Sequence, residues 1–507
     1  MDTEPKGTPS SEGCNGFKVF DIDHFNDEEE RITSLLTRDG SVDIHGQPAI
    51  KARSGGWRCA MLLLVNEMLV TLAFTGVEVN LVLFSKSVLR QTNAEASNTF
   101  SRWMGTAYFF SLIGAFLSDS YLGRYLTCII FQAVLLIGLV ALSLSTHLLL
   151  KPQGCGIIGF SCEPHTPIQL AMFYISIYLI ALGNGASEPA LATFGADQFD
   201  EEDPTEVRSK TSFYSYFYVS LNLGSLVAET FLVYIETMGD WVLGFWICAG
   251  SAVFSFLILL SGTLRYRNFK PSGNPLSRFA QVIMASIRKR KLQLPTKGEG
   301  LYDIQEGDDS NTMRRMHHTG GLRFLDRAAI ISAEDMSLLP HTDQTQNPWK
   351  LCTVTQVEEV KCFLRLLPLW LCIIFSSVVY IQMLSLFIEQ GISEAFVVVA
   401  QMEFFASQTP DGLKSLGMGL SMSSSALGSY VASFVLTAVV KITESHGKPG
   451  WVPANLNDGH LDRFFFLSAC LTAINLVLYV VMAKRYKGMV LEKREETSKV
   501  EISSISE

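Results

Sequence analysis

Long apolar runs alternate with short polar segments along most of the 507-residue chain. Six fall in the first half, at about 59–85, 103–119, 123–149, 168–190, 212–235 and 241–264. Their lengths match the roughly 17–25 residues that an α-helix needs to cross a ~30 Å hydrocarbon layer. "CIIFQAVLLIGLVALSLSTHLLL" is the clearest of them. A polar stretch from Arg265 to Glu359 follows, with no run of that length. Four more runs lie at about 363–388, 392–406, 415–440 and 462–483. The pattern predicts an all-α membrane protein of six spans, a loop and four spans. The eighth run is anomalous: Ile392–Phe405 gives about 21 Å of helix, short of a crossing. It follows the seventh through "FIEQGISEAF", with hardly any loop between them.

The same pattern sets the expected boundaries. They are a tail over 1–56, a first bundle over 57–265, a linker over 266–359, a second and incomplete bundle over 360–486, and a tail over 487–507. The start, "MDTEPKGTPSSEGCNGF", lacks the charged-then-apolar pattern of a cleaved signal, so the first span is expected to insert by itself. Lys51, Arg53 and Arg58, then "IRKRKLQL" and "MRRMHH" in the linker and "KRYKG" after the last span, all fall on one side of an even-numbered topology. The positive-inside bias makes that side, with both termini, cytoplasmic. Lys86, Arg90 and Lys151 run against the bias. Within the linker, "NPLSRFAQVIMASIRKRK" reads as an amphipathic helix with Phe279, Ile283 and Ile287 at four-residue spacing and bases at its end. It suits either the inner membrane face or a seat under the bundle.

Composition narrows the function. The chain is 48% hydrophobic and 18% charged, against roughly 25% charged for a soluble domain. The net charge of −9 arises largely in tails and loops. With no basic patch interleaved with aromatics, nucleic acid is not an expected partner. Nor is there a nucleophile–base pair, a metal-ligand cluster or a phosphate loop in a suitable context, so neither an enzyme nor a cofactor or metal is expected. Of ten cysteines, Cys155 and Cys162 share a loop on the expected outer side and could close a disulfide. The others read mainly as packing residues.

Three stretches then carry a specific resemblance. "GAFLSDSYLGRY" resembles the transporter loop in which Asp119 and Arg124 hold two helices together. "ATFGADQFDEEDP" with "FYSYFYVSLNLGSL" closely resembles the paired signatures of the proton-dependent oligopeptide transporter family. "GWVPANLNDGHLDRFFFL", "PDGLKS", "SVDIHGQPAI" and "GLRFLDRAAI" are similar to its plant branch, the nitrate and peptide transporters, and most of all to the xylem nitrate-loader subgroup. The resemblance covers about residues 40–490. It implies a major-facilitator fold of twelve spans in two bundles, with substrate bound between them near mid-membrane. It implies a secondary transporter of nitrate, peptides or related small solutes, with protons as a possible second substrate and the plasma membrane favoured over the vacuolar one. It also implies a deletion. "VVYIQMLSLFIEQG" matches the family's seventh span and "SEAFVVVAQMEFFASQTPDGLKS" its tenth. Spans eight, nine and the first half of ten are missing, as in a truncated isoform or a faulty gene product without transport activity, one that could interfere with full-length partners.

Ionisable groups inside spans are costly and so are functional candidates. Glu67 and Glu78 lie three turns apart on one face of span one, ~16 Å by helix rise. Glu67 matches the first glutamate of the family's proton-binding cluster in this span, whereas Val70 and Thr71 stand where the resemblance expects a second glutamate and an arginine. Proton coupling is therefore open. Glu67 is either a transport residue or a buried helix-end acid, and Glu78 either a pathway or a packing residue. By the resemblance, Glu188 of span four replaces a lysine that pairs with the span-ten residue here numbered Glu394. Two carboxylates would then face each other, a site that can hold a proton. The alternative gives Glu188 some other polar partner. Tyr380 stands where some relatives carry a nitrate-binding histidine; a phenol offers one hydrogen bond and no positive charge. It is as consistent with packing. Asp119, Arg124, Asp197, Asp200, Asp411 and Lys414, at cytoplasmic span ends, are assigned to gating and helix pairing.

Overall fold

The structure is a computed structural model that describes residues 36–37, 39–91, 93–150, 166–200, 202–271, 273–292, 294, 301–302, 316–331, 349–386, 401–443, 451 and 460–486. Helices begin where side chains can satisfy the backbone donors of a first turn. Thr166 and Gln169 form a reciprocal capping box ahead of Pro167, and Asp203 accepts from Thr205 N–H ahead of Pro204. A proline at the first helical position has no N–H to leave unpaired.

The first half comprises α1 (Gly56–Glu78), α2 (Leu81–Ser87), α3 (Asn93–Leu117), α4 (Arg124–Leu148), α5 (Pro167–Ala196), α6 (Pro204–Val227), α7 (Val233–Thr237) and α8 (Trp241–Ser261). The predicted first span breaks near Asn80 into α1 and α2, and α6 continues into α7 through a π-helical turn, Ala228–Leu232. The linker contributes α9 (Pro275–Arg288) and a 3-10 turn, Arg323–Ala329. The second half holds α10 (Val354–Leu386), a short helical piece α11 (401–408), α12 (Lys414–Thr443) and α13 (Leu461–Arg485). Among the described residues there is no strand, only isolated bridges such as Val42 with Asn268.

Eight helical stretches among the described residues are long and apolar enough to cross a membrane. The predicted second span is α3, whose polar first turns, with Glu95 and Arg102, precede its apolar run from Trp103. Most of the anomalous run at 392–406 lies outside the described residues, as do Glu394, Cys155 and Cys162. Its end is α11, where Phe405 packs with Leu366 and Leu420 and Gln401 donates to Ser421 Oγ at 2.8 Å. The chain is thus an all-helical membrane protein with a six-span first half and an incomplete second half. Of the seven described cysteines, all are buried except Cys470.

In the first half α1 packs on α8, α6 and α5, while α4 packs on α5 and α8. Its core stacks Phe74 on Trp103 at 5.0 Å, and the Trp103 indole N–H donates to Ile177 O at 2.7 Å. Helix α3 runs along both α5 and α12 and so joins the halves. The α3–α5 crossing depends on small residues. A Cβ on Gly185 would overlap the Ala107 carbonyl, and one on Gly114 the Ala186 backbone. Close approach of this kind substitutes for the hydrophobic drive that lipid removes between helices.

Replacing Gly185 by leucine should therefore push α3 from α5. Overpacking costs typically 1–3 kcal/mol, and against backbone we expect a loss of about 3 kcal/mol or more. Thermal unfolding in detergent tests this; an unchanged melting temperature would refute the close approach.

Candidate functional site

The interior of the first half contains more polar chemistry than its hydropathy suggests. On α1, Glu67 is only 2% exposed. Thr71 Oγ1 donates to its Oε1 at a long 3.5 Å, and its Oε2 has no hydrogen-bond partner among the described residues. Glu188, partly buried on α5, lies close enough for its charge to act on Glu67. The proline after it, Pro189, removes a backbone donor from α5, and Thr193 Oγ1 donates to the Pro189 carbonyl at 2.8 Å. Glu188 thus lies within electrostatic range of another carboxylate, on span one; the expected pairing with Glu394 falls outside the described residues. Glu78 is partly buried and engaged with neighbours. Tyr380, partly buried on α10, packs against the first half's core cluster, which includes Val70, Phe74 and Trp103.

Two buried polar groupings escaped the sequence reading. Asn66, adjacent to Glu67, donates to Gln132 Oε1 at 3.1 Å and to Ser255 Oγ at 2.7 Å, while Gln132 Nε2 returns a 2.8 Å bond to Asn66 Oδ1. This reciprocal amide pair ties α1, α4 and α8 together. Glu236 read as a loop residue because it ends an apolar run. It is fully buried on α7, with one oxygen accepting from Asn80 Nδ2 at 2.7 Å and the other unpartnered among the described residues. The usable signal was Asn80, an amide inside the first predicted span.

At the linker end a charged network joins the halves. The Arg124 guanidinium donates to the Asp197 carboxylate, lies 3.7 Å from Asp119 Oδ1 and donates to Ser415 Oγ at 3.2 Å. Asp119 Oδ2 accepts the Leu416 backbone N–H at 2.8 Å, and Thr193 and Ser415 hydroxyls lie 3.0 Å apart. Ends of α3, α4 and α5 thereby grip the first turn of α12. Asp200 is placed differently: it binds Lys51 at 3.2 Å, beside Asp203 at 3.0 Å. The hydroxyl and N–H of Thr205, then Lys51, hold the Asp203 carboxyl well below the usual carboxylate range. Lys414 opens α12, partly buried and engaged. Asp411 lies in the 3-10 turn Asp411–Leu413.

One trio has the composition of a metal site. Donor atoms of His318, Asp326 and Glu358 lie within 4.8 Å of one another. The buried Lys361 ammonium already bridges two of them, 2.5 Å from Asp326 and 2.6 Å from Glu358, so a resident cation sits between the two carboxylates.

Comparison with known proteins identifies relatives of the chain. The profile of the POT family matches residues 125–393 and 388–452, two pieces that meet at the short junction. "Protein NRT1/ PTR FAMILY 7.3" of Arabidopsis thaliana is 44% identical over 573 aligned positions, covering 91% of this chain and 93% of its own. "Protein NRT1/ PTR FAMILY 7.2" of the same plant is 43% identical, covering 91% and 97%. Both alignments are longer than the chain itself, so residues of the relatives have no counterpart within it. A crystal structure of a POT family transporter in complex with 5-aminolevulinic acid superposes with a TM-score of 0.51 at 14% identity, covering 86% of this chain and 99% of that one.

The network at Arg124 makes a quantitative prediction. Removing one partner of a buried ion pair costs about 3–5 kcal/mol, so Arg124→Ala should lower stability by that amount. Combined with Asp197→Ala, the loss should fall well short of the sum. Additive losses in a double-mutant unfolding cycle would show that the two groups are not coupled.

Proposed function

The chain belongs to the POT family, and from that premise we propose that it carries a small polar solute between its two helical halves, with Glu67 as the group that takes up and releases a proton. The observation that carries this reading is Glu67 itself, nearly wholly buried in an apolar half with one carboxylate oxygen unpartnered beside Glu188. A buried carboxylate is tolerated inside a membrane protein where it can change its charge during function. In this reading Thr71, Glu78 and Tyr380 line the path. The network of Asp119, Arg124, Asp197 and Ser415 closes it at the linker end, which the charge bias assigns to the cytoplasm. With Thr71 where relatives of the resembling family hold a positive charge, an anionic substrate lacks that counter-charge, which favours a solute that needs hydrogen bonds more than a cation.

A second reading, that the shortened chain transports poorly, is favoured by a specific observation on α6. Span two (α3) packs on α12, the counterpart of span eleven. In a transporter built of two related halves, exchanging the halves turns that contact into span five against span eight. Span five is α6, and span eight is within the missing piece. Among the described residues one side of α6 is accordingly uncovered: Val219 and Leu226 are each more than half exposed, and Asn222 Nδ2 donates to the Tyr218 carbonyl of its own helix. A pathway open along one side cannot be sealed against either compartment in turn.

The two readings separate in one experiment. The short chain and a form with the missing spans restored from a relative are placed in vesicles, and uptake of isotopic nitrate, potassium and dipeptide is followed at two pH values. We expect the restored form to transport with a dependence on the proton gradient that Glu67→Gln abolishes, and the short form to carry less than about a tenth of that flux. Equal flux would sink the second reading, and an unchanged gradient dependence in Glu67→Gln would sink the first.

A further inference from the structure

Helix α9 carries two apolar stripes, and among the described residues packing uses one. Pro275, Val282 and Ala285 are buried, and the Phe279 ring packs at a tilt against Phe363, centroids 5.1 Å apart. On the same side Arg278 lies 3.3 Å from Glu359, and Ser286 Oγ donates to the Phe324 carbonyl at 2.6 Å. This side seats the helix on the 3-10 turn and on α10. The second stripe runs Leu276, Ala280, Ile283, Met284 and Ile287, which successive steps of about 100° place on one flank. Leu276 and Ile287 are 55% and 56% exposed, and Ile283 and Met284 only slightly less. Four large aliphatic side chains along a 14-residue helix are more than solvent exposure accounts for.

Depth and charge identify what covers them. The contact with Phe363 sets α9 at the level where the polar first turns of α10, with Glu358, Glu359 and Lys361, give way to the apolar run "FLRLLPLWLCIIF". That level is where a span enters hydrocarbon, and the medium beside it is the boundary between headgroups and acyl chains. Immediately past the stripe come Arg288, Arg290 and Lys291, all exposed. A stripe of aliphatics bordered by bases at that depth complements an anionic bilayer surface.

We infer that the Leu276–Ile287 flank of α9 is seated in the membrane interface at the linker end, with Arg290 and Lys291 on anionic phospholipid headgroups and Arg288 beside them. The linker is thereby held against the bilayer that the spans cross. The inference rests on the chain's being a membrane protein and not on the transport reading, so either can fail alone.

The test uses the full chain in lipid nanodiscs, with an environment-sensitive fluorophore on Ile287→Cys and the reactive native cysteines replaced. Membranes of phosphatidylcholine alone are compared with membranes that also contain phosphatidylserine, and quenching by doxyl-labelled lipid is compared with quenching by aqueous iodide. With phosphatidylserine present we expect doxyl lipid to quench strongly and iodide weakly. Each base near a charged surface contributes roughly a fivefold preference, so Arg290→Gln with Lys291→Gln, or omission of phosphatidylserine, should raise iodide quenching at least about threefold. Strong iodide quenching in every membrane would place the stripe in water and overturn the inference. Protection from both quenchers in every membrane would mean that protein covers it, a second copy or another partner, and would overturn the inference equally. The change of lipid requires no substitution on α9 beyond the label, so a poorly folding double variant cannot decide the result.

Discussion

Hydrocarbon supplies no hydrogen bonds, and every polar atom placed between helices must find its partner in the protein or be held at a cost. The interior of the first half follows from that constraint. Asn66, Gln132 and Ser255 satisfy one another across three helices, and Asn80 covers one oxygen of Glu236. Such groups do not add much free energy each, since interhelical hydrogen bonds in membranes average well below 2 kcal/mol. Their importance is in register: an amide pair closes in one arrangement of α1, α4 and α8 and leaves unpaired atoms in any other. Against this background Glu67 and Glu236 stand out as buried carboxylates that each keep one oxygen unpartnered among the described residues, at a cost that packing alone does not repay.

The same economy governs how the halves meet. Within the membrane the contact between α3 and α12 relies on close approach and a few hydroxyls, such as Thr106 with Tyr430 at 2.9 Å. At the linker end, among the described residues, a buried multivalent ionic grip takes over. There Arg124 holds Asp119 and Asp197 while also reaching Ser415 of the other half.

The deletion alters this balance unequally. The α3–α12 seam is present, because both of its helices are retained, whereas one side of α6 is exposed among the described residues. The remaining second half is correspondingly thin: α13 is held chiefly by α10, through Asn475 donating to the Cys372 carbonyl and Ser376 Oγ, and presents apolar residues such as Phe466 and Val477 on most of its circumference. An apolar helix in lipid persists without neighbours, since its backbone is satisfied internally. The spans of the second half thus stand as helices whose backbone bonding does not depend on what encloses them.

What the sequence determined by itself was one-dimensional: the runs long enough to cross, the charge bias of their flanks, the family signatures and the break at Gly391. Each depends on the length, hydropathy or order of neighbouring residues, and these need no fold to be read. Glu67, Glu188, Arg124 and Asp119 were legible as candidates because a charge in or beside an apolar run is conspicuous. Which of them meet was decided only by the tertiary structure. It placed Glu188 within electrostatic range of Glu67, sent Asp200 to Lys51 and buried Glu236 under Asn80, a residue 156 positions away. The two sides of α9 show the same limit. A helical period records that a face is apolar, but whether protein or lipid covers it depends on what the fold has placed beside it.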